Sequence, residues 1–105
     1  MITKSKIFEV HEDKSRNRLY TVNLTPGKYS IGRHPANHIQ LWAQDLTVSR
    51  IHCLLVVSPD NRITIYDLAS SNGTFVNDEQ VPEGGIDVQF EERIKIGEHY
   101  ILTLC

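Results

Sequence analysis

At 105 residues, with 40% hydrophobic and 23% charged side chains, the chain has room for one packed core and not for two. A net charge of −2 excludes a protein that wraps nucleic acid, which needs a basic surface, and no stretch approaches the roughly 18 apolar residues of a membrane span. Cys53 and Cys105 stand in no CxxC pair or zinc-knuckle spacing, and the N-terminal MITKSKIFEV lacks the apolar region of a secretory signal. The expectation is therefore a single reduced, soluble, cytoplasmic domain over residues 1–105, without metal or cofactor.

In chain order, Phe8 and Val10, then Tyr20, Val22 and Leu24, then Tyr29 and Ile31 alternate with polar residues. That is the period of strands with one buried face, and with Pro26-Gly27 as a turn the first third reads as a β-meander. Ile51 to Val57 is apolar on both parities and predicts a strand covered on both faces. Pro59-Asp60-Asn61 turns the chain, and Ile63 to Leu68 returns antiparallel. Ile86, Val88 and Phe90 alternate again, as do Ile94 and Ile96, then Tyr100, Leu102 and Leu104, with Gly97 marking the last hairpin. Short strands with close turn signals and no helical period point to a two-sheet antiparallel sandwich or a small barrel, the sandwich being preferred.

Three segments break the alternation: Gly32-Arg33, Ser49-Arg50-Ile51-His52 and Ser70-Ser71-Asn72-Gly73-Thr74. Each falls at a strand end, where the loops of a sandwich gather. Arginines, hydroxyls and an Asn amide are what a phosphorylated side chain needs, because a phosphate ester brings roughly −1.5 to −2 charges and strong acceptor oxygens.

At these residues the sequence resembles the forkhead-associated (FHA) family, whose Gly-Arg, Ser-x-x-His and Asn-Gly pattern runs here as Gly32-Arg33, Ser49 to His52 and Asn72-Gly73. YSIGRHPANHIQL, VSRIHCLL, IYDLASSNGTFVN and RIKIG follow in family order across residues 29–97. The resemblance implies a sandwich of about eleven short strands whose loops at one end bind phosphothreonine. It assigns phosphate contacts to Arg33 and Ser49, a main-chain or guanidinium contact to Arg50, a hydroxyl that completes the pocket to Ser71, and a hydrogen bond to the ligand backbone to Asn72. Gly32, His52, Gly73 and Asn77 become loop-supporting residues, His52 bracing from beneath and Gly73 permitting a positive φ. A recess beside Ala69 and Asn72 would take the threonine γ-methyl. The implied partner is a phosphothreonine protein or peptide, a Ser/Thr kinase or its substrate, with neither nucleic acid nor membrane involved. The sequence departs from the family pattern at Ala69 and Asp78, where Gly is frequent, and at Glu91-Glu92, in place of a Gly-Asp turn.

Other readings carry less weight. Ser49 and His52 as nucleophile and base would be parted across a strand, and no G-x-S-x-G elbow occurs, so no enzyme is expected. His34 and His38, with His11 or His99, suit solvated loops better than a metal site. Tyr29, Tyr66 and the phenylalanines read as core rather than as base-stacking platforms, with Trp42 left unassigned between the two. Lys4, Lys6, Lys14, Arg16 and Arg18, mixed with acidic residues, read as a solvated edge. The rival from another class is an FHA-like structural module that assembles without reading phosphate.

Overall fold

The structure is a computed structural model that describes residues 6–12, 18–60 and 62–104, with side chains from residue 21 onward. Eleven strands run in chain order: β1 (Lys6–Glu12), β2 (Arg18–Leu24), β3 (Gly27–Gly32), β4 (Ile39–Gln40), β5 (Cys53–Val57), β6 (Ile63–Asp67), β7 (Thr74–Val76), β8 (Glu79–Gln80), β9 (Ile86–Asp87), β10 (Arg93–Ile96) and β11 (Tyr100–Leu104). They form a six-stranded sheet, β2-β1-β11-β10-β7-β8, and a five-stranded sheet, β4-β3-β5-β6-β9. No described helix is long and apolar enough to cross a membrane.

The alternation in the sequence becomes the sandwich core. Cys53, Leu55 and Val57 of β5, Ile63 and Ile65 of β6, Ile94 and Ile96 of β10, and Leu102 and Leu104 of β11 are all buried between the sheets. Each buried Leu or Ile contributes about 1.5–3 kcal/mol, so this interior is what holds the loops in place. Cys53 is free and fully buried, and that burial pushes its thiol pKa up, so it packs as an apolar residue.

The fold corrects the chain-order reading in several places. The first third is no meander: β1 pairs with β2, but at Pro26-Gly27 the chain crosses to the other sheet, where β3 pairs with β5. Leu24 before the crossing and Ile31 after it both reach the shared core, so the turn links two layers. One pair, β3 with β4, is parallel in an otherwise antiparallel sandwich. Ile51 lies outside β5 and is exposed, and Leu54 and Val56 are only half covered on the sheet's outer face. Phe90 is 65% exposed because strand alternation has ended before it: it sits in the turn closed by the Glu92 N–H donating to the Gln89 carbonyl (3.1 Å), with Glu91 left-handed (φ 68°). Trp42, which the sequence left unassigned, is 62% exposed. The orientations of Phe8, Val10 and Tyr20, and of the basic residues from Lys4 to Arg18, lie outside the described side chains.

The pairings place four connections at one end of the sandwich. Ile31 pairs with both Ile39 and Cys53, Cys53 with Asp67, and Ile96 with Thr74. The β3–β4, β4–β5 and β6–β7 loops and the β10–β11 hairpin therefore share one rim.

Candidate functional site

Arg33 opens the β3–β4 loop and is fixed from two sides. Its backbone N–H donates to the Ser49 carbonyl (3.2 Å) and its Nε to the Val48 carbonyl (2.9 Å). The Nη groups have no protein acceptor among the described residues. Gly32 is required by close approach: a Cβ there would lie 2.2 Å from the Arg50 carbonyl oxygen and 2.9 Å from the Asn37 amide nitrogen. That same Arg50 carbonyl accepts from the His34 N–H (3.1 Å) and from Asn37 Nδ2 (2.7 Å), pinning the two loops together while the Arg50 side chain stays exposed.

Ser49 stands at the junction. Its N–H donates to His52 Nδ1 (3.0 Å), its carbonyl accepts from Arg33, and its Oγ accepts the Ser71 N–H (3.0 Å). The Ser49 hydroxyl proton is left to donate outward. His52, 0% exposed, completes the brace by donating from Nε2 to the Gly73 carbonyl (2.8 Å). This pair of bonds needs the neutral ring with its proton on Nε2. Burial lowers its pKa, against the opposing pull of the Gly73 carbonyl and Asp67, and so keeps the ring neutral. Gly73 takes φ +81°, as its place in the turn demands.

Asn72 is exposed, and its Nδ2 donates to the Thr47 carbonyl (2.9 Å), which orients the amide and leaves Oδ1 and a second N–H pointing to solvent. Arg33, Ser49, Arg50, Ser71 and Asn72 thus lie on neighbouring loops that hydrogen-bond one another. Asn77 does not belong with them. At the far end of β7 it accepts the Arg93 N–H on Oδ1 (3.0 Å) and donates to Glu92 (2.8 Å), supporting the turn ahead of β10.

Sequence reasoning missed the residues that tie the rim together. Asp45, buried, accepts from the Thr47 N–H and hydroxyl (3.0 and 2.6 Å) and from His99 Nδ1 (2.8 Å). Thr47 Oγ1 in turn accepts the Glu98 N–H (3.0 Å), docking the β10–β11 hairpin on the β4–β5 loop. Asp67 accepts from the Ser70 N–H and hydroxyl and from the buried Thr74 hydroxyl (2.7 Å), shaping the β6–β7 loop. Burial would raise the pKa of both carboxylates, but these hydrogen bonds hold each below the ordinary Asp value. Asp45 to Thr47 is an Asx-turn and Asp67 to Ser70 a similarly local contact, both within reach of the sequence; the His99 partner of Asp45 carries no local signal. His34 and His38 accept backbone N–H groups from Ala36 and Ser30, and no three metal-ligating side chains converge among the described residues.

This fold and rim define a β-sandwich that presents cationic, hydroxyl and amide groups on braced loops at one end. Residues 29–97 match the FHA domain family, and the chain belongs to it. Among solved structures it is similar to the FHA domain of the CT664 protein from Chlamydia trachomatis, a likeness of fold at 22% identity and TM-score 0.84 over 96% of each chain. An FHA domain from work on phosphothreonine-dependent FHA domain interactions matches at 27% identity and TM-score 0.78, over 96% of this chain and 95% of that one. Mycobacterium tuberculosis EmbR, in complex with a low-affinity phosphopeptide, matches at 28% identity and TM-score 0.73, over 93% of this chain and 24% of EmbR. Comparison with curated protein sequences gives no match.

Proposed function

We propose that this domain binds phosphothreonine-containing segments of partner proteins and performs no catalysis. The observation that carries the reading is the convergence of Arg33, Ser49 and Asn72 on hydrogen-bonded loops, each with polar groups left for a ligand. The Arg33 guanidinium and Ser49 hydroxyl donate to the phosphate, Ser71 and Arg50 complete its surroundings, and Asn72 reads the ligand main chain. Two similar structures support it, an FHA domain from work on phosphothreonine-dependent interactions and EmbR in complex with a low-affinity phosphopeptide. Charge-assisted hydrogen bonds are worth about 1.5–3 kcal/mol each, so three or four supply most of the roughly 8 kcal/mol of a micromolar complex. The partner is a Ser/Thr kinase or a kinase substrate, met inside the cell.

Titration against a degenerate phosphothreonine peptide library, with phosphoserine and unphosphorylated controls, tests this by fluorescence anisotropy at moderate salt. Phosphothreonine should bind best, phosphoserine more weakly and the unphosphorylated set not at all. Equal or absent binding throughout would point instead to a phosphate-independent assembly module.

A further inference from the structure

Asn72 and Gly73 are each demanded by the rim. Asn72 is the amide assigned to the ligand main chain, and Gly73 takes φ +81°, a left-handed backbone that favours glycine. Together they make the only Asn-Gly pair in the chain. Such a pair carries its own chemistry, because glycine has no Cβ to hinder attack by its nitrogen on the preceding side chain. The Gly73 nitrogen gives its proton to solvent and its electron pair to Asn72 Cγ, the Cγ–Nδ2 bond breaks, and Nδ2 takes up a proton and leaves as ammonia. Water then opens the succinimide at either carbonyl, giving aspartate or isoaspartate with no change in oxidation state. Asn72 is exposed, so water reaches the ring.

We infer that Asn72-Gly73 is a latent deamidation site which the loop's own hydrogen bonds hold shut, and whose conversion silences the binding rim. Both reacting groups are restrained. The Gly73 N–H donates to Ser70 Oγ (3.0 Å), and the Ser70 hydroxyl proton is committed to Asp67, so a deprotonated Gly73 nitrogen would face an oxygen with no proton to offer it. The Gly73 carbonyl accepts from His52 Nε2 (2.8 Å), which fixes the glycine on its other side. Asn72 Nδ2 donates to the Thr47 carbonyl (2.9 Å), and that bond must break before the side chain can swing onto Gly73. The silencing step rests on the phosphothreonine reading. Aspartate at this position sets a negative charge beside the bound phosphate and loses the donor that Thr47 holds. Isoaspartate does the same and lengthens the main chain by one carbon, which shifts the Gly73 carbonyl away from His52.

The test ages the domain in mildly alkaline buffer, folded and in urea, and follows residue 72 as asparagine, aspartate or isoaspartate by peptide mapping with mass spectrometry. Folded wild type should convert at least about tenfold more slowly than the chain in urea, as the loss of one or two hydrogen bonds implies. Ser70→Ala, which frees the Gly73 N–H, should convert about three- to tenfold faster than folded wild type. Ile65→Val, which loosens the buried core without touching the brace, should age like the wild type. Folded ageing as fast as in urea, no acceleration in Ser70→Ala, or equal acceleration in Ile65→Val overturns the inference. Phosphothreonine peptides should bind the aged fraction and Asn72→Asp at least about tenfold more weakly than the unmodified domain, and equal affinity overturns the silencing step. If the unmodified domain binds no phosphothreonine peptide, that reading falls and the silencing with it, while the conversion rates still decide whether the brace protects Asn72.

Discussion

A proton added to Nδ1 of His52 would face the Ser49 N–H, replacing an acceptor with a donor and releasing Ser49 from the ring that Nε2 ties to the Gly73 loop. Because burial sets the pKa of this ring below its ordinary value, the native state refuses a proton that the unfolded chain takes up below about pH 6.5. The stability it contributes is therefore complete above that pH and drains as the pH falls toward the folded value. His52→Ala removes both ring bonds and leaves a cavity, so it should cost about 2–4 kcal/mol in urea denaturation and weaken phosphopeptide binding with it. Arg33→Ala separates contact from scaffold: affinity should fall about 100-fold by anisotropy, while stability shifts by no more than about 1 kcal/mol for the lost bond to Val48. Equal binding by Arg33→Ala would remove Arg33 from the site. Ala69 holds a left-handed backbone (φ 54°) that costs an L-residue about 1–2 kcal/mol. Ala69→Gly should relieve it and, after the added entropy of the unfolded chain, raise stability by about 0.5–1 kcal/mol in the same assay.

At the scale of elements, two of the four rim connections are each shaped by one carboxylate, Asp45 in the β4–β5 loop and Asp67 in the β6–β7 loop. Asp67 organises the β6–β7 loop through Ser70 and Thr74, and the Thr74 hydroxyl is buried, so Asp67→Ala strands a polar group in the interior. That substitution should cost about 2–3 kcal/mol of stability, and hydrogen exchange at Ser71 and Gly73 should quicken before global unfolding does. Undisturbed exchange there would mean that the loop holds its shape without Asp67. Much of this was legible in the sequence. Gly-Arg, Ser-x-x-His and Asn-Gly pointed to three loops, and the structure brings those loops together. The Asp45–Thr47–His99 cluster was not legible, because Asp45 and His99 are far apart in the chain and meet only where the β10–β11 hairpin docks. Asn77 was legible as a loop support, but the pairing of β7 with β10 decides that the loop lies at the other end.

Taken as a whole, the molecule concentrates its polar brace at one rim of an apolar sandwich, and its acid response should show two stages. Urea midpoints should decline first below about pH 6.5, through His52, and again below about pH 4, as Asp45 and Asp67 take up protons. Both carboxylates have lowered pKa values, so their contribution is present above the ordinary Asp value and lost as the pH falls through the folded one. In His52→Ala the upper stage should vanish and the lower remain. Strand content was determined by the sequence alone, because a period of two residues is a local property and Pro, Gly and Asn mark turns locally. The candidate phosphate-reading residues were equally local, as short motifs in a fixed order. Tertiary structure alone decided which sheet each strand joins, that Trp42 faces solvent rather than the core, and that a single threonine, Thr47, ties three rim connections together. Those outcomes rest on register and on which distant segments share a layer, and no window of sequence contains that information.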